Sequence, residues 1–236
     1  MSLYICPTPI GNLRDITLRV LDILKSCDSI LAEDTRVTRN LLNKYEISTP
    51  VISFHSYTKE AKLKRIVQEL LSGKNMALVT DAGTPGISDP GYLLIRECIA
   101  NGIKVEALPG PTSFVPALLL SGFPTDKFLF YGFLPRKTGK RRKIISDLKW
   151  FYGPIIFFES PYRVKSILED ILTELGDRPV AIARELTKIY EEVIRGKTST
   201  VLAELANRTL KGEVIVVVGA LESSAVEESS DDVDSL

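Results

Sequence analysis

Several things are scarce in this chain, and each scarcity removes a class of chemistry. There is one histidine, His55, and only three cysteines, Cys6, Cys27 and Cys98, far apart in the sequence. An odd number of cysteines at those spacings makes neither a disulfide framework nor a metal-ligand set, so no metal is expected. With a single histidine and no nucleophile elbow, a conventional catalytic triad is not available, and His55 reads as a partly exposed residue at a strand end. No GxGxxG follows the first strand and no P-loop pattern occurs, which removes support for a dinucleotide fold and for a P-loop NTPase. No window approaches the ~18 apolar residues of a spanning helix. The opening MSLYICPTPIGN also lacks the basic start and apolar run of a secretory leader, so a cytoplasmic protein without a membrane partner is expected.

What is present supports one large or two small folded domains: 236 residues, 44% of them hydrophobic, are ample for a packed core. The formal charge of zero averages two unlike regions. Residues 222–236 hold six acids and no base, so the rest of the chain has 30 basic residues against 24 acidic ones, a surplus of six. The serine-rich acidic end reads as a disordered tail, and the modestly basic body permits a nucleic-acid partner.

Along the chain, strands are expected at residues 3–6, 29–32, 51–54, 76–80 and 105–108, with helices at 17–26, 35–45 and 61–71. Apolar positions 63, 66, 67, 70 and 71 give the third helix one buried face. The alternation resumes at 128–133, 154–158, 179–183, 191–195 and 213–218, with helices at 140–150, 164–175 and 199–207. Such a pattern predicts two α/β domains, residues 1–115 and 116–221, the first with a mainly parallel sheet covered on both faces. Ligands of such sheets bind beyond the carboxyl ends of the strands.

Two glycine- and proline-rich stretches sit there. LVTDAGTPGISDPG (78–91) and ALPGPTSFVPALLLSG (107–122) each leave a strand and enter a helix, so backbone can approach a ligand closely in both. Three polar clusters share the same kind of position: EDTR (33–36), FFESPYR (157–163) and ARELTK (183–188). Each is open to a plain reading as a helix cap or an exposed ion pair, yet three of them at strand ends point to a ligand edge. A basic run follows at 136–149, with seven cations against Asp147, which suits either a solvated helix face or phosphate contact.

Taken in order, TPIGNLRD, AEDTR, TDAGTPGISDPG, LPGPTS, YGFLP, FESPYR and RELTK resemble the RsmI family of small-subunit ribosomal RNA 2'-O-methyltransferases, within the tetrapyrrole methylase superfamily. The resemblance runs from residue 3 to about residue 221. It implies two α/β domains with S-adenosylmethionine bound in the cleft between them, a homodimer, and a decoding-centre cytidine ribose as substrate. Carried over residue by residue, the cofactor loops match Pro9 and Ile10, then Gly83, Thr84, Pro85 and Ile87, then Thr112 and Ser113. Thr84 stands where many tetrapyrrole methylases have aspartate, Tyr162 stands where the family often has histidine, and a longer carboxyl-terminal extension found in some relatives is replaced by the acidic end.

Transfer of a methyl group from sulfur to a ribose oxygen is an in-line displacement that depends on alignment and on a proton acceptor. The candidate acceptors are Asp34, Glu159 and Glu185. Arg36, Arg163, Arg184 and Lys188 would position phosphates or steady the developing alkoxide, and Arg141, Arg142 and Lys143 would bind RNA. Two rivals stand beside this reading: a tetrapyrrole or protein side-chain methyltransferase of the same fold, and a non-catalytic RNA-binding assembly factor.

Overall fold

The computed structural model describes residues 1–55 and 60–220. The expected acidic tail lies outside the described residues. The chain divides into two compact units, Met1–Leu120 with Ala183–Val193, and Ser121–Ile182 with the chain from Ile194 onward.

In the first unit, β1 (Ser2–Ile5), β2 (Ser29–Ala32), β3 (Val51–Ser53), β4 (Asn75–Leu78) and β5 (Lys104–Ala107) form a sheet in the order β3-β2-β4-β1-β5. Its described pairings are all parallel. Side chains alternate between faces, as a pleated strand requires. Leu3, Ile5, Leu31, Met76 and Leu78 enter one core with α3 (Glu60–Leu71) and α4 (Tyr92–Ala100). Cys6, Ile30, Ala32, Ala77 and Val79 enter the other with α1 (Leu18–Ser26) and α2 (Thr35–Lys44). Burial on both faces explains why these strands read as continuous apolar runs. Thr17 caps α1 by accepting from the Val20 N–H, and α5 (Phe114–Ser121) closes the unit's first segment.

The second unit is a mixed sheet. Its strands are β6 (Leu129–Phe133), β7 (Ile155–Glu159), β8 (Pro179–Arg184), β9 (Glu192–Lys197) and β10 (Val214–Val218), in the order β6-β7-β10-β8-β9. β6 runs parallel to β7, whereas β10 is antiparallel to it. α6 (Thr138–Asp147), α7 (Val164–Leu175) and α8 (Thr198–Leu205) cover one face. The predicted stripe on α7 is the buried one, with Val164, Ile167, Leu168, Ile171 and Leu175 inside. α6 stops earlier than its basic run suggests: Leu148, Lys149 and Phe151 donate to carbonyls three residues back, so Trp150 leaves the helix in a tight turn.

Candidate active site

Because β1 lies between β4 and β5, the loops leaving these strands at their carboxyl ends are neighbours. Thr8 and Gly83 exchange two backbone hydrogen bonds of 2.9 Å, tying the first loop to the second. The Thr8 hydroxyl donates to the Thr80 carbonyl at 2.9 Å, and the Thr84 hydroxyl donates to the Pro111 carbonyl at 3.0 Å. A Cβ on Gly110 would stand 2.7 Å from the Pro7 side chain, so the third loop lies directly on the first. Gly83 has φ +83°, and a Cβ there would meet only Ile10 at 3.6 Å and Pro111 O at 3.9 Å. Its backbone is therefore left-handed, with both polar groups bound to Thr8 and a Cβ just accommodated between Ile10 and Pro111. Pro9, Ile10, Gly83, Thr84 and Pro85 thus come together, with Ile87 at the end of a turn onto the Thr84 carbonyl and Thr112 and Ser113 next to Pro111.

The ends of β2 and β4 meet beside these loops through acids. Asp34 caps α2 by accepting from the Arg36 N–H at 2.8 Å, and its own N–H donates to Asp81 at 3.0 Å. The Arg36 guanidinium on Asp34, followed by the capping N–H, holds that carboxyl down at about 2. The Thr80 hydroxyl donates to Glu33 at 3.0 Å. Asp89, half-buried near Glu33 and Asp81, is pushed up to about 6, chiefly by burial. One cavity of about 240 Å³ is lined by Thr8, Pro9, Val37, Thr80 and Asp81 among others, and a second of about 170 Å³ by His55, Asp89, Pro90 and Tyr92 among others.

The ARELTK segment belongs to this unit although it lies far along the chain. The Thr187 hydroxyl accepts from the Asn12 N–H at 3.1 Å. Gly11 sits so tightly beneath the segment that a Cβ would fall 2.5 Å from the Lys188 side chain. Glu185 and Thr187 have left-handed backbones (φ 51° and 66°), an unusual state for residues with side chains. Lys188 Nζ lies 2.9 Å from Glu185, and Arg184 pairs with Glu192 at 3.2 Å.

The second unit corrects two expectations. Arg141 does not offer its guanidinium to phosphate: it is 5% exposed and donates to Asp170 at 2.5 Å, because on α6 it faces α7. Glu159 is not an accessible proton acceptor. It is 4% exposed, accepts from Ser160 N–H at 2.7 Å and pairs with Arg163 at 3.3 Å, while burial raises its carboxyl above the ordinary range. Arg163 also donates to the Leu134 and Pro135 carbonyls at 3.1 Å, so FESPYR is pinned to YGFLP. Arg142 is half-buried on Glu174, whereas Lys143 is exposed.

Comparison with known proteins shows the family of the chain. The family model of the tetrapyrrole (corrin/porphyrin) methylases matches residues 2–202. Ribosomal RNA small subunit methyltransferase I of Thermotoga maritima is 49% identical over 94% of this chain and 99% of its own length. Its counterpart in Halalkalibacterium halodurans is 46% identical over 92% of this chain and 75% of its own. The chain belongs to the ribosomal RNA small subunit methyltransferase I family. A solved structure of a cobalamin biosynthetic enzyme, cobalt precorrin-4 methyltransferase, has the same fold, with a TM-score of 0.69 at 19% identity over 92% of this chain and 94% of that one. Like the rest of its family, the protein is a methyltransferase.

In this member of the ribosomal RNA small subunit methyltransferase I family, the three cysteines are buried and free. Burial pushes the Cys6 thiol up to about 12 and the Cys98 thiol to about 11, so neither serves as a nucleophile. Among the described residues, no group of His, Cys, Asp and Glu is arranged to hold a metal, and no helix is long and apolar enough to cross a membrane. The grouping of Glu33, Thr80, Asp81 and Asp89 is not marked by any single motif in the sequence. Its only trace is the placing of acids just after β2 and β4, visible once those strands are known to be neighbours.

Proposed function

We propose that this methyltransferase moves the methyl group of S-adenosylmethionine to the ribose 2'-hydroxyl of a decoding-centre cytidine in small-subunit ribosomal RNA. The observation that carries the reading is the likeness, at 46–49% identity, to relatives named as small-subunit ribosomal RNA methyltransferases. The loops of the first unit fit the donor: the left-handed turns at Gly83 and Gly86 bring the loop after β4 against the loop after β1, and Glu33, Asp81 and Asp89 nearby suit a positively charged sulfonium. When bound, the donor supplies a methyl group on a sulfur that departs with the electrons of the broken carbon–sulfur bond.

Pro9, Ile10 and Ile87 would wall this ligand, and Thr84, Thr112 and Ser113 would fix its polar ends. The hydroxyl to be methylated must lose its proton, and Glu185 is the favoured acceptor. Asp34, held at about 2, is a weak base at neutral pH, and Glu159 is buried. Lys188, beside Glu185, would steady the negative charge left on the oxygen, while Glu192 keeps Arg184 in place. Arg36, exposed on α2, would meet phosphate. The reading includes a homodimer acting in the cytoplasm, on naked rRNA or on the assembled subunit.

Tritiated methyl transfer to assembled small subunits and to naked ribosomal RNA tests this. Label in RNA that protects the adjacent phosphodiester from alkali is expected, since a methylated 2'-oxygen cannot attack it. Label entering a porphyrinoid or a protein side chain, and not RNA, would overturn the substrate. An assembly factor without activity would bind rRNA yet give no calorimetric signal with the donor.

A further inference from the structure

The second unit carries an exposed aromatic pair that the proposed chemistry does not use. Trp150 is 68% exposed and Tyr152 76%, in the turn between α6 and β7. Two such rings in one short turn make a contiguous exposed aromatic patch, which is more informative than a single exposed residue. Lys149 Nζ lies 5.5 Å from the centroid of the Trp150 ring. A Cβ on Gly153 would fall 2.5 Å from the Lys127 carbonyl, which places Lys127 beside the same turn. The turn is held from below by Arg178, whose guanidinium donates to the Lys149 carbonyl. Arg178 is 4% exposed, its Nε and Nη1 have no hydrogen-bond partner, and no carboxylate ion pair is formed by it among the described residues.

We infer that Trp150 and Tyr152 form a stacking platform for unpaired bases of the RNA substrate, rimmed by Lys127 and Lys149 and backed by the buried charge of Arg178. The inference rests on the proposed ribosomal RNA substrate and adds where that substrate docks. Charge complementarity favours a polyanion over an apolar protein surface. From residue 126 to residue 152 the exposed charges are Arg136, Lys137, Lys140, Lys143, Lys127 and Lys149 against Asp126 and Asp147. Aromatic faces take any base, while surrounding cations follow the phosphates, the usual combination for single-stranded nucleic acid. The platform lies at the amino end of β7, and none of its residues is among those proposed to hold the donor or accept the proton. It is assigned the docking of RNA alone.

Trp150 is the chain's only tryptophan, so its fluorescence reports on the platform alone. Titration of the full-length protein with a mixed-sequence single-stranded oligoribonucleotide should quench this emission as bases stack. Trp150→Ala should weaken oligoribonucleotide binding about tenfold, read by anisotropy of a labelled strand, and Trp150→Phe should largely restore it. With assembled small subunits, Trp150→Ala should raise KM and leave kcat unchanged. Unquenched emission, or RNA affinity unaltered in Trp150→Ala, overturns the platform. So does a change of oligomeric state in Trp150→Ala with RNA affinity intact, which would make the surface a protein interface. Each of these results leaves the wild-type methyl transfer to rRNA untouched. Absence of that transfer would instead strike the substrate assignment, so the two failures are distinguishable.

Discussion

In the second unit, Arg141 is buried on Asp170, Arg142 is held by Glu174, and Glu159 with Arg163 locks the ends of β6 and β7 together. In the first, charged groups gather at the carboxyl ends of strands, in pairs such as Asp34–Arg36 and Glu185–Lys188 and in one group of like charges. Asp89 faces Glu33 and Asp81. Left-handed non-glycine residues also concentrate in this unit, at Glu46, Ser88, Glu185 and Thr187. Strain and like charges at close quarters cost stability and are kept where a ligand can use them. One unit thus buries its ion pairs between helices, and the other sets its acids at the strand ends where the donor is proposed to bind.

The largest effect should come from Asp170→Ala. It strands the Arg141 guanidinium, whose side chain is 6% exposed, without its carboxylate. Breaking a buried pair from one side costs about 3–5 kcal/mol. Urea unfolding should show that loss, while donor affinity measured well below the transition stays unchanged. A comparable fall in donor affinity would erase the division between the units.

Next comes the contrast between Glu185 and Asp34. Glu185→Gln should slow single-turnover transfer by about 10²-fold or more, the range for removing a general base. Asp34→Asn should remain within a few-fold of wild type, because asparagine also caps helices and the aspartate is a weak base. Wild-type rates in Glu185→Gln would return the proton-acceptor role to another group.

The first unit's sheet was legible because its central strands β1, β2 and β4 are buried on both faces and separated by helices with clear 3.6-residue periodicity, as at Ile66, Val67 and Leu70. The tight loop after β4 was legible from Gly83, Gly86 and Gly91, whose positive φ favours glycine. The second sheet was harder. Nothing local in VIVVV distinguishes a parallel from an antiparallel neighbour, and the antiparallel pairing of β10 with β7 depends on chain routing. Arg141 was misread because a basic residue facing Asp170 looks the same in sequence as its exposed neighbours. Lys188 and Gly11, almost 180 residues apart, meet only through the fold, so the motif list held both without their contact.

A smaller effect is expected at Gly83. A methyl group has room there, so Gly83→Ala meets mainly the cost of a left-handed backbone, about 1–2 kcal/mol. The melting temperature should fall modestly while S-adenosylmethionine affinity, read by calorimetry, falls about tenfold because the strained turn shifts against the loop of Thr8 and Ile10. Reduced stability with undiminished affinity would make Gly83 a turn residue alone.

The finest test uses the acids of the first unit. The ordinary aspartate value is 3.8, and burial beside Glu33 and Asp81 raises Asp89 to about 6. The folded state therefore binds this proton more tightly than the unfolded state. The stability it contributes is fully present below about pH 4 and is lost as pH rises through about 6. Asparagine stays neutral throughout and can still hydrogen-bond, so Asp89→Asn should be more stable than wild type at about pH 8, with the advantage closing towards about pH 4. Urea midpoints across that range would measure the difference. A gap that does not vary with pH would mean that Asp89 is solvated like any surface carboxylate, and the gathering of like charges in this unit would lose its energetic meaning.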